Sequence, residues 1–272
     1  MTATAAKPRK RRPVDPVVAW TRRLARYRPN LADDTLTALA SMYGIPTWER
    51  VHDPTSELIL TILSANSADI NAEKAFDALS RRWPSSSEGD VDMKVHRPGW
   101  GGVGIGSATP DWSAIADAAI DELIDVIRPG GLAPTKAPRI QATLRRVREE
   151  RGDYSLEFLG YMAPADALAW LTAIPGVGRK TASVVLLFSF GMPLIPVDRH
   201  VERVAMRIGL IPPRIDVLKA HDYIAALVPD ERSHETHVNF ITHGRQTCHA
   251  QRPACGRCAI AARCRFFNPK AP

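Results

Sequence analysis

Four cysteines fall within seventeen residues near the C-terminal end: Cys248, Cys255, Cys258 and Cys264. Their spacing is C-x6-C-x2-C-x5-C. Four thiolates in one short segment form a ligand set for a metal. Structural zinc held by four cysteines usually draws on two separated CxxC knuckles. One CxxC is present here, and a single loop wrapped around a larger object suits a cubane [4Fe-4S] cluster better, with zinc the alternative. Disulfides would need an oxidising compartment. The opening residues, MTATAAKPRKRRP, lack the apolar core of a secretory signal.

The second reactive group is a lysine. In LTAIPGVGRKTASVVLLFSF, 171–190, two helical stretches are joined by Pro175-Gly176-Val177-Gly178. Both glycines permit the positive φ of a tight hairpin. The turn leaves backbone N–H groups free at the head of the second helix, where the helix dipole also favours an anion. Such a helix-hairpin-helix grips DNA phosphates without reading sequence. Gly176, Gly178 and Arg179 are its candidate contacts. Lys180 sits in the first turn, where the dipole and partial burial both favour the neutral amine. A neutral lysine amine forms Schiff bases with sugar aldehydes; a phosphate contact is the other reading. Asp198 follows eighteen residues later, in IPVDRHV, at the start of a short helix. It suits an N-cap, and a carboxylate folded back toward Lys180 would also activate the amine and stabilise cationic sugar character.

These groups sit in a chain of 272 residues with net charge +7, 45% hydrophobic and 24% charged. That composition excludes collagen, coiled coil and wholesale disorder. The length fits one large domain or two small ones. The longest apolar stretch, Ala182–Phe190, is too short to span a membrane. The tail before Pro13 carries +5, the stretch after Glu235 carries +6 without an acid, and the body between them carries −4. Basic ends on an acidic body suggest a local field for a polyanion.

The elements that must position the groups read as helices. Apolar periodicity predicts Val17–Tyr27, Leu31–Tyr43, Ser56–Leu63, Ile70–Trp83, Trp112–Ile127, Ala137–Arg151, Ser155–Met162, Ala165–Ala173, Arg179–Phe190, Asp198–Ile208, Val217–Leu227 and Glu235–Gly244. Alternating strand patterns are nearly absent, so the fold class is all-α. Residues 1–15 read as a disordered basic tail. The Ser/Gly/Asp/Pro-rich stretch 84–110 reads as a flexible insertion.

The IPGVGRKTA hairpin, the VD-x-H run and the cysteine spacing, in this order, resemble the endonuclease III family of DNA glycosylases over roughly Ser56 to Phe266, apart from 84–110. The resemblance implies a two-domain helix-hairpin-helix glycosylase fold with a C-terminal [4Fe-4S] loop. A six-helix barrel would run over 55–192, containing the hairpin (171–190). Residues 16–54 and 193–272 would form the second domain, with the cluster loop at 248–264. It implies Lys180 as catalytic nucleophile, Asp198 as the essential carboxylate, and the four cysteines as cluster ligands. His200, Arg252, Arg257 and Arg263 would meet DNA. Asn66 stands where a glutamine usually fills the space left by the flipped nucleotide; it is one methylene shorter. Leu132 matches a wedge that invades the base stack, with a buried loop leucine as the other reading. Arg199 stands where a small polar residue is common. The insertion has no counterpart in short members; disorder is the favoured reading, with a DNA contact through Trp100 the alternative.

The implied function is base-excision DNA repair. A bifunctional glycosylase would excise a damaged base, an oxidised pyrimidine above all, and cleave the abasic site by β-elimination. The alternatives are another lesion (oxidised purine, mismatched thymine or uracil, UV photoproduct) and a non-catalytic DNA-binding module. The presence of both Lys180 and Asp198 argues against the last. The expected partner is double-stranded DNA with a damaged base or abasic site, with no membrane. The chain is expected to be a monomer in a bacterial cytoplasm, or in a nucleus if eukaryotic.

Overall fold

The computed structural model describes residues 14–85 and 108–270. The α-helices among them are α1 Pro16–Tyr27, α2 Leu31–Tyr43, α3 Pro54–Ser64, α4 Asp69–Arg82, α5 Trp112–Asp117, α6 Ile120–Val126, α7 Ala133–Arg151, α8 Pro164–Thr172, α9 Arg179–Phe190, α10 Arg199–Ile208, α11 Val217–Ala225 and α12 Ser233–Gln246. Among the described residues there is no strand, only an isolated antiparallel bridge between Pro84 and Pro110. The expected basic tail (except residues 14 and 15) and residues 86–107 of the expected insertion, Trp100 included, lie outside the described residues.

Aspartates set many of the starts. Asp15, Asp53, Asp111, Asp198 and Asp216 each accept a hydrogen bond from first-turn backbone N–H groups of the helix that follows. Each cap satisfies donors that the helix cannot satisfy itself.

The expected helix Trp112–Ile127 is two helices. Ala118 and Ala119 between α5 and α6 are extended. Side chains of α7 fill the break: Gln141 Nε2 donates to Ala118 O at 2.8 Å and Arg145 Nε to Ala116 O at 2.9 Å. These donors replace the hydrogen bonds a continuous helix would have made. α7 starts four residues before the expected Ala137, because Pro134 at the second helical position has no N–H to lose. Pro138, further in, costs one backbone bond. The expected helix Ser155–Met162 is a single 3-10 segment, Glu157–Tyr161.

Apolar side chains gather in two cores. One draws on α3 to α9, with Leu58, Phe76, Ile115, Ile140, Leu171 and Leu186 at its centre. The other joins α1 and α2 to α10, α11 and α12, around Leu39, Val204, Ile224 and Phe240. A small cluster of Val184, Leu187, Phe188 and Val238 ties α9 to α12 between them. None of the described helices is long and apolar enough to cross a membrane.

Candidate active site

A cleft of about 790 Å³ lies where the two cores meet, and both Lys180 and Asp198 line it. Lys180 is the second residue of α9, which belongs mainly to the first core. Asp198 is the N-cap of α10, in the second. The α3–α4 loop (Ala65, Asn66, Ser67, Ala68) forms one rim, and α12 supplies His237, Val238, Ile241 and Arg245. The apolar wall of Val184, Phe188, Val238 and Ile241 suits a flat, unsaturated ring.

Asp198 is held from several sides. Its Oδ1 accepts from His200 N at 2.8 Å and Val201 N at 2.9 Å. Burial pushes its carboxyl up, but the Val201 N–H and the nearby His237, His200 and Lys180 outweigh burial, so the net shift is below the ordinary value. It is a carboxylate at neutral pH. The backbone just before it is clamped by two buried histidines. His221 Nε2 accepts from Val197 N at 3.2 Å while its Nδ1 donates to Val217 O at 3.1 Å. His237 Nδ1 donates to Pro196 O at 2.9 Å. Neither histidine stands out in the sequence; both lie far along the chain from the segment they fix.

The rims meet across the cleft. Arg245 of α12 pairs with Asp69 of α4 at 2.7 Å. Arg199 Nη2 approaches Asn66 Oδ1 at 3.5 Å. Thus Asn66 and Arg199 face one another. Asn66 is exposed, with a left-handed φ of 54°. His200 sits against α12, where a Cβ on Gly244 would come within 2.8 Å of its own Cβ. Burial lowers its pKa, with Asp198 opposing and Arg203 and Arg245 assisting. Its Nδ1 accepts from Arg203 Nη2 at 3.1 Å.

The hairpin precedes α9. Gly176 has φ +88°, which a side chain would strain, but Gly178 is extended at −87°. The expectation of positive φ therefore holds for the first glycine alone. A Cβ on Gly178 would meet nothing within 4 Å, so that position presents bare backbone to solvent. Arg179 does not offer a free guanidinium. It pairs with Asp222 at 2.6 Å and donates to Leu218 O at 3.3 Å. An arginine the sequence did not single out lies here instead: the exposed Arg139 of α7 rests its Cγ and Cδ within 3.6 Å of the Cβ position of Gly176. Leu132, just before α7, is left-handed at φ 54° and 54% exposed, so it is not a buried loop leucine.

The four cysteines line one small cavity with His243 and Arg207. Among the described residues no three His, Cys, Asp or Glu side chains converge as a single metal ion requires. Burial and neighbouring thiols push Cys255 and Cys258 up. Arg207 Nη1 reaches Cys248 Sγ at 3.4 Å and His249 O at 2.6 Å. His243, held down to about 4 by burial, has Nε2 at 3.6 Å from Cys258 Sγ. Arg252 is exposed with φ 49°, and Arg257 is exposed while donating to Gln246 O. Arg263 turns inward, pairing with Asp34 and donating to Pro29 O at 2.8 Å. It ties the loop to α2 instead of facing outward as expected.

The model of the HhH-GPD superfamily base excision DNA repair proteins matches residues 59–229. Endonuclease III of Haemophilus influenzae is 33% identical over 234 residues, covering 86% of this chain and 94% of that protein. Endonuclease III of Escherichia coli K12 is 31% identical with the same coverage. Among solved structures, a trapped endonuclease III–DNA covalent intermediate superimposes with TM-score 0.67 at 28% identity, over 88% of this chain and 96% of that one. A thermostable thymine-DNA glycosylase gives TM-score 0.65 at 16% identity over 88% of this chain and 98% of that one, a likeness of fold.

Proposed function

The chain belongs to the endonuclease III family of base excision DNA glycosylases and AP lyases, and from this premise we propose that Lys180 and Asp198 carry its chemistry. One observation supports the assignment above the others: an amine at the head of α9 and an ionised carboxylate at the head of α10 line the same cleft from two different cores.

The damaged nucleotide leaves the duplex and enters the cleft, its base against the Val184–Phe188 wall. The lone pair of Lys180 Nζ attacks C1′, and the glycosidic bond breaks with its electron pair leaving on the base. Asp198, held ionised, stabilises positive charge on the sugar and accepts the proton lost from the amine. Ring opening gives a Schiff base between Nζ and C1′. Loss of a proton from C2′ then expels the 3′ phosphate, and water releases the enzyme. The backbone N–H groups around Gly176 and Gly178, with Arg139, hold the flanking phosphates.

The cysteine loop fits a cluster. Four thiols around one small cavity, carried on a single short loop, suit a [4Fe-4S] group better than one zinc ion. Cys248, Cys255, Cys258 and Cys264 would hold it. When bound, such a group would supply a rigid tie for the loop and keep the thiols deprotonated. Arg252 and Arg257, both exposed, would meet phosphates.

Oxidised pyrimidines are the proposed substrates. A second reading changes the base alone, and the Asn66–Arg199 contact favours weighing it, since a guanidinium stands at the rim of the cleft. Borohydride trapping on a duplex with one abasic site tests the chemistry. The expected result is a covalent adduct with the wild type and none with Lys180→Gln. An adduct formed equally by both would refute the assignment. Excision from a panel of lesion duplexes then ranks the bases.

A further inference from the structure

Lys136 is buried, 3% exposed, and the chemistry above makes no use of it. It lies on the inner stripe of α7, near Ala133, Ala137 and Ile140. An ammonium there has left water, and burial alone pushes its pKa down. Such a group persists only where acceptors replace the lost hydration. Lys136 finds three. Its Nζ donates to Leu63 O, to Ser67 Oγ at 2.8 Å and to Gly130 O at 2.9 Å. Ser67 Oγ in turn donates to Gly130 O. Three ammonium protons meet three oxygens.

The acceptors belong to two separate places, the end of α3 with the loop that follows it and the turn before α7. Leu63 and Ser67 flank the α3–α4 turn, whose tip is Asn66. Gly130 belongs to the turn before α7, whose tip is Leu132. Both tips are non-glycine residues in the left-handed region, at φ 54° each, and both are exposed. Left-handed backbone costs free energy in such residues and persists where the surroundings impose it. The two turns also press together directly. A Cβ on Gly130 would lie 2.9 Å from Ala75 Cβ, and one on Gly131 3.3 Å from Ser67 Oγ. The turns that carry an exposed leucine and an exposed amide are thereby tied to each other, and Asn66 lines the cleft. An apolar wedge next to a hydrogen-bonding group is the equipment for unstacking a base step and occupying the gap.

We infer that Lys136 is a positioning residue for nucleotide extrusion: it locks the Asn66 and Leu132 turns into one rigid two-pronged wedge. The inference rests on the glycosylase reading of the cleft. It assigns Lys136 to the opening of the duplex and leaves the bond-making at Lys180 untouched.

The test compares two substrates that need the same chemistry but differ in stacking. One is a duplex with a base-paired lesion; the other is a single strand with an abasic site, where nothing has to be unstacked. Lys136→Met in the full chain is expected to slow turnover of the duplex at least tenfold. Borohydride trapping on the single strand should stay within about twofold of wild type. Equal losses on both substrates would make Lys136 a core strut and overturn the inference, as would no loss on either. A binding readout that needs no chemistry runs beside it: 2-aminopurine placed opposite a tetrahydrofuran site in duplex DNA. Wild type should raise its fluorescence by unstacking it, and Lys136→Met should not. If the wild type traps no single strand, the Lys180 reading fails, while the fluorescence comparison still decides the role of Lys136. Should Lys136→Met not fold, Ser67→Ala removes one of the links and is expected to give the same selective loss, smaller in size. A Ser67→Ala enzyme indistinguishable from wild type in both fluorescence and duplex turnover would overturn the inference.

Discussion

Under the proposed assignment Asp198 has two duties, and three substitutions separate them. As a cap it accepts from His200 N at 2.8 Å and Val201 N at 2.9 Å. Losing such a cap costs about 1 kcal/mol. For a chain of this size that is a fall of roughly 2–4 °C in Tm. Asn and Ser cap nearly as well as Asp, whereas Ala does not. Asp198→Ala is therefore expected to melt about 1 kcal/mol below Asp198→Asn and Asp198→Ser. All three lose the carboxylate. A general base or electrostatic stabiliser contributes about 10²- to 10⁴-fold, equivalent to about 2.7–5.4 kcal/mol in the barrier. Excision and strand cleavage should drop by that factor in every variant, regardless of melting temperature. Single-turnover cleavage of a lesion duplex, with thermal melting in the same buffer, reads both quantities. Activity within tenfold of wild type in the Asn or Ser variant would refute the catalytic role and leave a cap alone. The lowered pKa adds a sign. Stability drawn from the ionised Asp198 is complete above its unfolded value of about 3.8 and is lost as pH falls through the still lower folded value.

Gly244→Ala should lower both stability and turnover. The new Cβ meets His200 Cβ at 2.8 Å, and overpacking of about 1–3 kcal/mol outweighs the ~1 kcal/mol gain in helix propensity; melting and cleavage rate check it. His221 has its pKa lowered, first by burial and then by Arg179. Its contribution is therefore full above its unfolded value of about 6.5 and declines as pH falls below it, so the melting temperature of His221→Gln should depend less on pH between about 7 and 5 than that of wild type. Arg139→Gln should weaken binding to any duplex and reduce the slope of log K against log salt by about 1, in a titration of anisotropy at several salt concentrations. Cys258→Ser should lower bound iron and sulfide and loosen 248–264 to proteolysis, while Lys180 and the hairpin stay folded.

Much of this protein was legible along the chain because its signals are local. The Arg179–Phe190 helix, the turn before it, and the Asp198 cap are each specified within a few residues by glycine, proline and aspartate. Leu31–Tyr43 matches the apolar period residue for residue. Cysteine spacing marked a candidate metal loop, since the four cysteines lie on one short segment. Lys136 left a faint trace, a lysine on the apolar stripe of α7, that only burial explains. Other features had no local signal. Residues 112–127 read as one helix because nothing in that stretch forbids it; Gln141 and Arg145, arriving from α7, stabilise the break. Arg179 read as a DNA contact from its place in the hairpin and Arg263 from the family resemblance, yet Asp222 and Asp34, distant in sequence, claim them.

The sequence by itself thus determined the chemical groups and the helices that carry them, because backbone preference and ligand identity are properties of short segments. Tertiary structure decided which groups meet. Lys180 and Asp198 share a cleft because two cores pack against each other through α9 and α12. His221 and His237 fix Asp198 from other helices, and Lys136 joins two turns more than sixty residues apart. Hydrogen bonds and ion pairs of that kind depend on distance in space, and the order of residues along the chain encodes it only through the whole fold.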